Sequence, residues 1–310
     1  MAEMYDIIIL GAGPAGLTAA IYAARFKMKA LVLGEMVGGT ISEAHKVENW
    51  PGEKSITGID LSQKIVQQVK DFGVEIKMNN ADKIIKKEGG TFEVQTTKET
   101  LATKKLIIAI GTQRRNLGLP REKELVGKGV SYCATCDAPF FSGKISAVVG
   151  GGNSALSAAL LLAESAEKVY IIYRRDEFSK AEPINVDLVN NNSKIEVLFK
   201  SKVVELIGDP MLEAIKLEDG KELKVSGLFI EVGTESRKEF LEDVGVELDE
   251  NGYVKVDNEM KTSCEGLYSA GDLNSGNFKQ AVVAAAEGAI AAKTVYVDIK
   301  KDQAKALNKQ

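Results

Sequence analysis

Two cysteines separated by two residues are the part of this sequence best suited to chemistry. The motif is Cys133-Ala-Thr-Cys136, and Asp137 follows it directly. Such a pair is typical of thiol–disulfide exchange, in which a thiolate attacks a disulfide and a nearby acid protonates the sulfur that leaves. Because the chain has a single histidine, His45, Asp137 is the natural candidate for that acid. The alternative role for Asp137 is a helix N-cap or a turn residue.

Metal binding is a poor explanation for the same cysteines. A structural zinc site needs about four ligands, and beyond the pair the chain offers only Cys264 and His45 as further Cys or His ligands. Three cysteines are also too few for a secreted disulfide scaffold. We therefore expect no metal site and interpret Cys264 as a bystander.

Two glycine-rich turns, each between a predicted strand and a predicted helix, indicate dinucleotide binding. Gly11-Ala-Gly-Pro-Ala-Gly16 follows the strand-like run 6–10, and Gly150-Gly-Gly-Asn-Ser-Ala155 follows 145–149, which is 150 − 11 = 139 residues later. In this motif the first glycine permits a tight turn, the second leaves room for a pyrophosphate, and the third small residue lets helix and strand pack closely. The phosphates then lie at a helix N-terminus. The alternative is an ordinary strand–helix–strand crossover in which glycine serves packing alone. The candidate binding residues in these turns are Gly11, Gly13, Pro14, Ala15, Gly16, Gly150, Gly152, Asn153, Ser154 and Ala155.

The repeat predicts an α/β fold of two Rossmann-like, three-layer ββα dinucleotide-binding domains, the second inserted into the first. We place the first domain at 1–113 and 246–310, and the second, which carries the cysteine pair, at 114–245. Within the first domain the hydrophobic pattern predicts helices at 59–71 and 279–292 and strands at 91–96 and 101–110.

Composition excludes several other classes of protein. The 310 residues are 45% hydrophobic, and their net charge of −4 provides no basic field for nucleic acid. The apolar runs are shorter than the roughly 20 residues that span a bilayer. The first six residues lack a basic segment, so we expect no signal peptide and a cytoplasmic location.

Two arginines after the second strand of the second repeat indicate the choice of nucleotide. Arg174 and Arg175 lie where an NAD-preferring protein usually places an acid that holds the ribose 2′-hydroxyl. Guanidinium groups can instead bind a 2′-phosphate, so we predict NADPH, with NADH as a weaker donor. The alternative is that these arginines pair with Asp176, Glu177 or other surface acids. Lys180 is a further candidate cation.

In the order and spacing of its motifs, the chain resembles the low-molecular-weight thioredoxin reductases along nearly its whole length. The matching segments are 11–16, 47–52, 109–112, 133–137, 150–155, 174–175, 268–272 and 280–292. The resemblance implies FAD on the first domain, NADPH on the second, and a homodimer. It further implies that Cys136 lies nearest the flavin, that Cys133 attacks the partner's disulfide, and that Asp137 is the acid.

Further flavin contacts come from the resemblance, and some can also be argued physically. Asp272, after a strand-like run, can hydrogen-bond the ribityl or phosphate part of FAD, and the helix that follows would direct its positive end at the flavin ring. The expected FAD residues outside the glycine turn are Glu35, Gly39, Thr40, Asn49, Gly111, Thr112, Gly271, Asp272, Lys279, Gln280 and Ala281.

The sequence departs from the family pattern at four places. Thr40 replaces a glutamine, Glu35 is displaced by one residue, Ala138-Pro139 replaces a glycine after the cysteine motif, and Ser179 replaces a third arginine.

The leading hypothesis is a thioredoxin-disulfide reductase in which electrons pass from NADPH to FAD to Cys133–Cys136 and on to a thioredoxin-like protein. A large domain rotation between half-reactions is expected, because the disulfide and the nicotinamide site share one domain and the flavin belongs to the other. One alternative is a reductase for a glutaredoxin-like or peroxidase partner. Another is a nucleotide-binding redox sensor or a catalytically silent paralogue, against which the intact cysteine pair and both glycine turns argue.

Overall fold

The computed structural model describes residues 4–236, 241, 244–276 and 278–307. The chain divides into two compact units, one made of 1–113 and 236–310 and the other of 114–235. The first boundary coincides with the position expected from the sequence, and the second lies ten residues before it (245 − 235 = 10). Six of those ten residues, 237–240 and 242–243, lie outside the described part of the chain.

The first unit is built on a seven-stranded sheet. Its strands are β1 (Met4–Leu10), β2 (Ala30–Leu33), β3 (Glu75–Lys77), β4 (Lys83–Lys86), β5 (Phe92–Gln95), β6 (Thr100–Ile108) and, far along the chain, β17 (Leu267–Ser269). The order β3-β2-β1-β6 is parallel, and β5 and β4 continue it as an antiparallel meander. The other edge of β6 changes partner along its length, pairing with β5 at 100–103 and with β17 at 106–108.

Helices cover one face of this sheet. They are α1 (Pro14–Arg25), α2 (Gly58–Asp71) and α6 (Ala281–Leu307). Alternate residues of β1 explain the layering, since Ile7 and Ile9 face the helices while Ile8 and Leu10 pack with residues of the meander. Thr57 is the N-cap of α2, and its hydroxyl accepts a hydrogen bond from the Asp60 N–H at 3.1 Å. The helix predicted at 279–292 is found, but it continues fifteen residues further, to Leu307.

The second unit repeats the plan around a five-stranded parallel sheet in the order β11-β10-β9-β15-β8. These strands are β8 (Val130–Ser131), β9 (Ile145–Val149), β10 (Lys168–Ile172), β11 (Ile195–Leu198) and β15 (Gly227–Ile230). The helices α3 (Ala134–Asp137), α4 (Asn153–Ser165) and α5 (Pro183–Asn190) belong to the core of one face. The antiparallel strands β12 (Val203–Ile207), β13 (Ala214–Leu217) and β14 (Glu222–Lys224) contribute to the core of the other.

Where the chain passes between the units, β7 (Gln113–Arg114) pairs with β16 (Thr234–Glu235). The predicted α/β fold of two three-layer Rossmann-like units is thus confirmed. None of the helices in the described residues is long and apolar enough to cross a bilayer.

Candidate active site

The first glycine turn connects β1 to α1 and leaves no room for side chains. Gly11 has a φ of +111°, and a Cβ on it would lie 2.1 Å from the carbonyl oxygen of Ala109 on the adjacent strand β6. A Cβ on Gly16 would lie 1.9 Å from the carbonyl oxygen of Gly11, so the third glycine is needed for the helix to approach the strand. Gly13 is the N-cap and provides no side-chain cap. The first N–H groups of α1 therefore point into the turn without a capping partner, which suits a phosphate group.

The segment after β2 closes over this turn. A Cβ on Gly39 would lie 2.7 Å from the Cα of Gly13, and the N–H of Gly38 donates to the carbonyl oxygen of Ala12 at 2.8 Å. Glu35 and Thr40, on either side of this contact, are both exposed. The backbone therefore brings the segment that carries Glu35, Gly39 and Thr40 to the mouth of the first turn.

Two other predicted FAD residues meet at the start of α6. The side-chain amide of Asn49 donates to the side-chain oxygen of Gln280 at 3.1 Å, although 231 residues separate them in the chain. Ala281 is the first residue of α6. Gly111 and Thr112 lie just beyond the end of β6 and are half-buried.

A group of charged side chains lies in the turn between β17 and α6. Burial raises the pKa of the Asp272 carboxyl above its usual range, and the nearby Lys279 ammonium opposes that shift. Burial likewise lowers the pKa of Lys279, whose ammonium donates to the carbonyl oxygen of Asn274 and lies 4.4 Å from the centre of the Tyr253 ring. No donor among the described residues hydrogen-bonds the Asp272 carboxylate, so it can accept a hydroxyl from a ligand.

The second glycine turn connects β9 to α4 in the same manner. Gly150 has a φ of +146°, and a Cβ on it would lie 2.2 Å from the carbonyl oxygen of Glu231. A Cβ on Gly151 would lie 2.5 Å from ring atoms of Tyr173. Gly152 has open space around its Cα and is the N-cap of α4, which has no side-chain cap. This is the combination that a bound pyrophosphate requires.

Asn153 has a structural partner that the sequence did not reveal. Its side-chain oxygen accepts hydrogen bonds from the Glu182 N–H at 2.7 Å and from the Asn185 side chain at 3.2 Å. These bonds hold the segment before α5 against the start of α4. Lys180 lies in that segment and forms an isolated β-bridge with Gly152, so its backbone is adjacent to the turn. Ser154, one position further along α4, is exposed.

The arginines after β10, Arg174 and Arg175, form no ion pairs with acidic residues of the described part of the chain. Arg175 donates from Nη1 to the hydroxyl of Ser179 at 3.0 Å, while Asp176 lies 4.0 Å from Lys200. No carboxylate of the described residues forms an ion pair with Arg174, Arg175 or Lys180, and all three are exposed. The structure therefore disfavours the explanation that these arginines merely pair with neighbouring acids.

Cys133 and Cys136 form a disulfide with their Cα atoms 5.3 Å apart. Cys133 is the N-cap of the short helix α3, and its Sγ accepts the N–H of Cys136 at 3.2 Å. Ser131 supports this loop, since its hydroxyl oxygen accepts the Cys133 N–H at 3.0 Å. Cys133 is half-buried and Cys136 is exposed.

Asp137 lies directly after the disulfide, where a proton donor to the sulfurs would be needed. It occupies the N-cap position of the 3₁₀ turn Ala138–Phe141, but its side chain makes no capping hydrogen bond. The alternative role of a side-chain helix cap is therefore not seen at this turn.

Two carboxylates that sequence analysis did not single out organise the loops near these sites. Glu122 is only 2% exposed, and its carboxylate accepts the N–H groups of Leu117 and Leu119, each at 3.0 Å, and the hydroxyl of Tyr132 beside Cys133. Burial and this acceptor raise the pKa of Tyr132. Glu287 of α6 accepts from the Gly271 N–H at 2.7 Å. Neither residue could be identified from the sequence, because no local pattern distinguishes Glu122 or Glu287 from a glutamate on the surface.

Comparison with protein families decides what this arrangement is. The model of the family described as pyridine nucleotide-disulphide oxidoreductase matches residues 5–288. The chain belongs to that family. The match includes both glycine turns, the disulfide and the turn at Asp272, so these sites belong to one enzyme architecture.

Individual members of the family are similar over almost the entire chain. A thioredoxin reductase of Mycolicibacterium smegmatis is 40% identical, with 93% of this chain and 94% of the relative covered. A thioredoxin reductase of Bacillus subtilis is 36% identical, with 98% of each covered. Among solved structures, Lactococcus lactis thioredoxin reductase in its FR conformation matches with a TM-score of 0.92 and 35% identity, over 96% of this chain and 99% of that one.

The residues present fit the two cofactors that the family resemblance implies. The first turn offers uncapped helix N–H groups for the diphosphate of FAD, and Asp272 is a partly buried acceptor to which no described residue donates. The second turn offers the same phosphate cradle at Gly152, with Arg174, Arg175 and Lys180 on neighbouring segments for an additional phosphate.

Proposed function

We propose that this chain is an NADPH-dependent thioredoxin-disulfide reductase. The observation that carries the proposal is the closed Cys133–Cys136 disulfide in a unit that also contains the glycine turn of a nucleotide site. The similarity to thioredoxin reductases over 93% and 98% of the chain supports the choice of substrate.

The first unit is proposed to hold FAD. The N–H groups at the start of α1 would bind its diphosphate, while Glu35 would accept from the adenosine ribose and Asp272 from the ribityl chain. Asn49, Gln280 and the start of α6 would lie on the isoalloxazine side. When bound, FAD supplies a carrier that accepts a hydride from NADPH and delivers two electrons to a disulfide.

The chain's own sulfur atoms then perform the exchange with the partner. In the dithiol form, the Cys133 thiolate attacks one sulfur of the partner's disulfide, so that a Cys133–partner bond forms and the partner's S–S bond breaks. Cys136 next attacks Cys133 Sγ, which restores the Cys133–Cys136 disulfide and releases the partner with both its cysteines reduced. Asp137 is proposed to supply the proton that a leaving thiolate takes up.

NADPH is proposed as the preferred electron donor. Arg174, Arg175 and Lys180 would surround the 2′-phosphate, and the hydrogen bond from Arg175 to Ser179 would orient the guanidinium group. Because a third arginine is absent, we expect measurable use of NADH at high concentration.

The proposed setting is the cytoplasm, where a catalytic cysteine pair can cycle through its reduced form. The proposed assembly is a homodimer, and the proposed partner is a small thioredoxin-like protein. Neither nucleic acid nor a membrane has a role in this proposal.

A coupled reduction assay tests the function. The purified chain is supplied with NADPH, and reduction of insulin by a thioredoxin is followed, with a glutaredoxin and a thiol peroxidase in parallel. We expect the highest kcat/KM with the thioredoxin and no turnover by a Cys133→Ser, Cys136→Ser double variant. Turnover by the double variant, or a clear preference for the peroxidase or the glutaredoxin, would contradict the assignment.

A further inference from the structure

Glu287 occupies a position from which it links the predicted flavin-binding turn to the helix that follows it. It lies in the second turn of α6, six residues after the first residue of the helix (287 − 281 = 6). One carboxylate oxygen, Oε2, accepts the N–H of Gly271 at 2.7 Å and the side-chain amide of Asn274 at 2.8 Å. The helix is therefore tied to both ends of the turn at 271–274.

Contacts other than those with Glu287 also restrict the turn at 271–274. The N–H of Asn274 donates to the carbonyl oxygen of Gly271 at 2.9 Å, which closes the turn. The side chain of Asn274 also donates to the carbonyl oxygen of Ser269 at 3.1 Å, and Asn274 is only 3% exposed. Gly271 adopts a φ of +85°, and a Cβ on it would lie 3.1 Å from the methyl carbon of Ala15. The turn consequently rests on α1 and is held from the other side by Glu287.

Asp272 is one of the two central residues of this turn. Its carboxylate is partly buried and has no hydrogen-bond donor among the described residues, so its direction is set by the backbone on either side of it. The Gly271 N–H and the Asn274 amide, which both donate to Glu287, fix that backbone. Loss of the Glu287 oxygen would leave the Gly271 N–H and one of the two amide N–H groups of the buried Asn274 unsatisfied, while the other amide N–H keeps the Ser269 carbonyl. An unsatisfied buried donor costs free energy and loosens the turn.

From this geometry we propose that Glu287 is a positioning residue for the flavin, acting through the Gly271–Asp272 backbone and the start of α6. The inference rests on the proposed function, because it requires FAD to bind at Asp272. Hydrogen-bond acceptance, and not negative charge, is the property that matters, since both bonds converge on one oxygen atom.

Titration of the apoprotein with FAD, followed by flavin fluorescence and by the visible absorbance bands, tests the inference. Replacing Glu287 with Ala should raise the Kd for FAD by about tenfold or more, because two donors lose their acceptor. Glu287→Gln keeps an oxygen for both donors and should bind FAD within about threefold of the wild type. Glu287→Asp is one methylene shorter and should fall between them. Glu88→Gln, on the exposed turn between β4 and β5, is the matched control.

The melting temperature of each apoprotein separates positioning from general stability. We expect Glu287→Gln and Glu287→Asp to melt close to the wild-type apoprotein. A higher Kd for FAD in the aspartate variant would then result from a change in the turn at 271–274 and not from a less stable fold. If Glu287→Ala does not fold, these two variants decide the question. Wild-type affinity in Glu287→Asp, or equal loss of FAD in Glu287→Gln and Glu287→Ala, would overturn the inference. A wild-type chain that binds no FAD would instead refute the proposed function.

Discussion

At the scale of single residues, the two sulfur atoms of the disulfide differ in their surroundings. Cys133 Sγ accepts the backbone N–H of Cys136, and such a bond favours the thiolate form of a cysteine once the disulfide is reduced. Cys136 is the more exposed of the two. The hydrogen bond favours Cys133 as the attacking thiolate, whereas exposure alone would favour Cys136.

A trapping experiment distinguishes these assignments. The partner is a thioredoxin with one cysteine changed to serine and the other activated as a thionitrobenzoate disulfide. We expect Cys136→Ser, which retains Cys133, to form a covalent complex and release thionitrobenzoate at least about tenfold faster than Cys133→Ser. Non-reducing gels and absorbance follow the two products. Cys264→Ser, at a buried free thiol, is the control. Faster trapping by Cys133→Ser would assign the attack to Cys136.

The positive side chains of Arg174, Arg175 and Lys180 near the second glycine turn lead to another prediction for single residues. Charge-assisted hydrogen bonds contribute about 1.5–3 kcal/mol each, so two arginines can provide a preference of about a hundredfold or more for a 2′-phosphate. An Arg174→Ala, Arg175→Ala double variant should lose most of this preference in the ratio of kcat/KM for NADPH to that for NADH. Its affinity for 2′,5′-ADP should fall while its affinity for 5′-AMP remains, as calorimetry can show.

The exposed Lys224 on β14 provides the control for this measurement. Lys224→Met removes one positive charge from the same unit and should leave the cofactor ratio unchanged, whereas Lys180→Met should reduce it. A wild-type enzyme that favours NADH, or a ratio that the arginine variant leaves unaltered, would show that these arginines do not recognise the phosphate.

At the scale of secondary-structure elements, the packing of α1 against α6 holds the first glycine turn in place. The helices are in tight contact at Gly288, where a Cβ would lie 2.0 Å from the carbonyl oxygen of Ala15. That oxygen belongs to the backbone and cannot rotate away. Glycine at this position of α6 therefore permits the close approach of the two helices.

Replacement of Gly288 with Ala should destabilise the protein although alanine is the better helix former. The gain in helix propensity is about 1 kcal/mol, whereas overpacking costs about 1–3 kcal/mol and more when backbone must move. Urea unfolding followed by circular dichroism should show a net loss of about 1–2 kcal/mol. Ala304→Leu, at the exposed end of the same helix, should change little. Equal or greater stability of the alanine variant would mean that the helices can separate at this point without cost.

How well the sequence predicted these elements depended on the range of the interactions that form them. The two strand–turn–helix units were predictable because hydrophobic periodicity and glycine spacing are local signals. The clamp of Glu287 on Gly271 was not, because it depends on how α6 packs after β17. The same holds for Asn153, whose position in the glycine motif suggested a cofactor contact while its side chain binds the segment at 182–185.

At the scale of the whole molecule, the motifs expected to bind flavin and those expected to bind the nicotinamide nucleotide lie in separate units. The disulfide and the second glycine turn both lie within 114–235, whereas Asp272 and the first glycine turn lie in the other unit. The motifs alone were sufficient to predict this division, since each is continuous in the sequence. The position of the second boundary was not predictable to within a few residues, because no proline- or glycine-rich linker marks 235–246.

This division leads to the prediction that the second unit rotates during turnover. A single flavin has to meet the nicotinamide in one half-reaction and the disulfide in the other, and both of these belong to the same compact unit. Because one rigid body cannot present two separate sites to the same ring at once, the unit must change orientation about its two chain crossings. Motions of this kind take microseconds to milliseconds or longer.

Single-molecule energy transfer between the two units measures this rotation directly. Fluorophores are attached through unnatural amino acids at the exposed positions Glu88 in the first unit and Asp219 in the second, so that the native cysteines remain unlabelled. During turnover with NADPH and thioredoxin we expect two transfer efficiencies that interconvert at least as fast as kcat. A pair of labels within the second unit, at Asp219 and Glu167, should give one constant efficiency. That result would exclude changes in the brightness of the dyes as the cause of the two efficiencies. A single unchanging efficiency for the first pair, in an enzyme that turns over at its normal rate, would show that catalysis proceeds without the rotation.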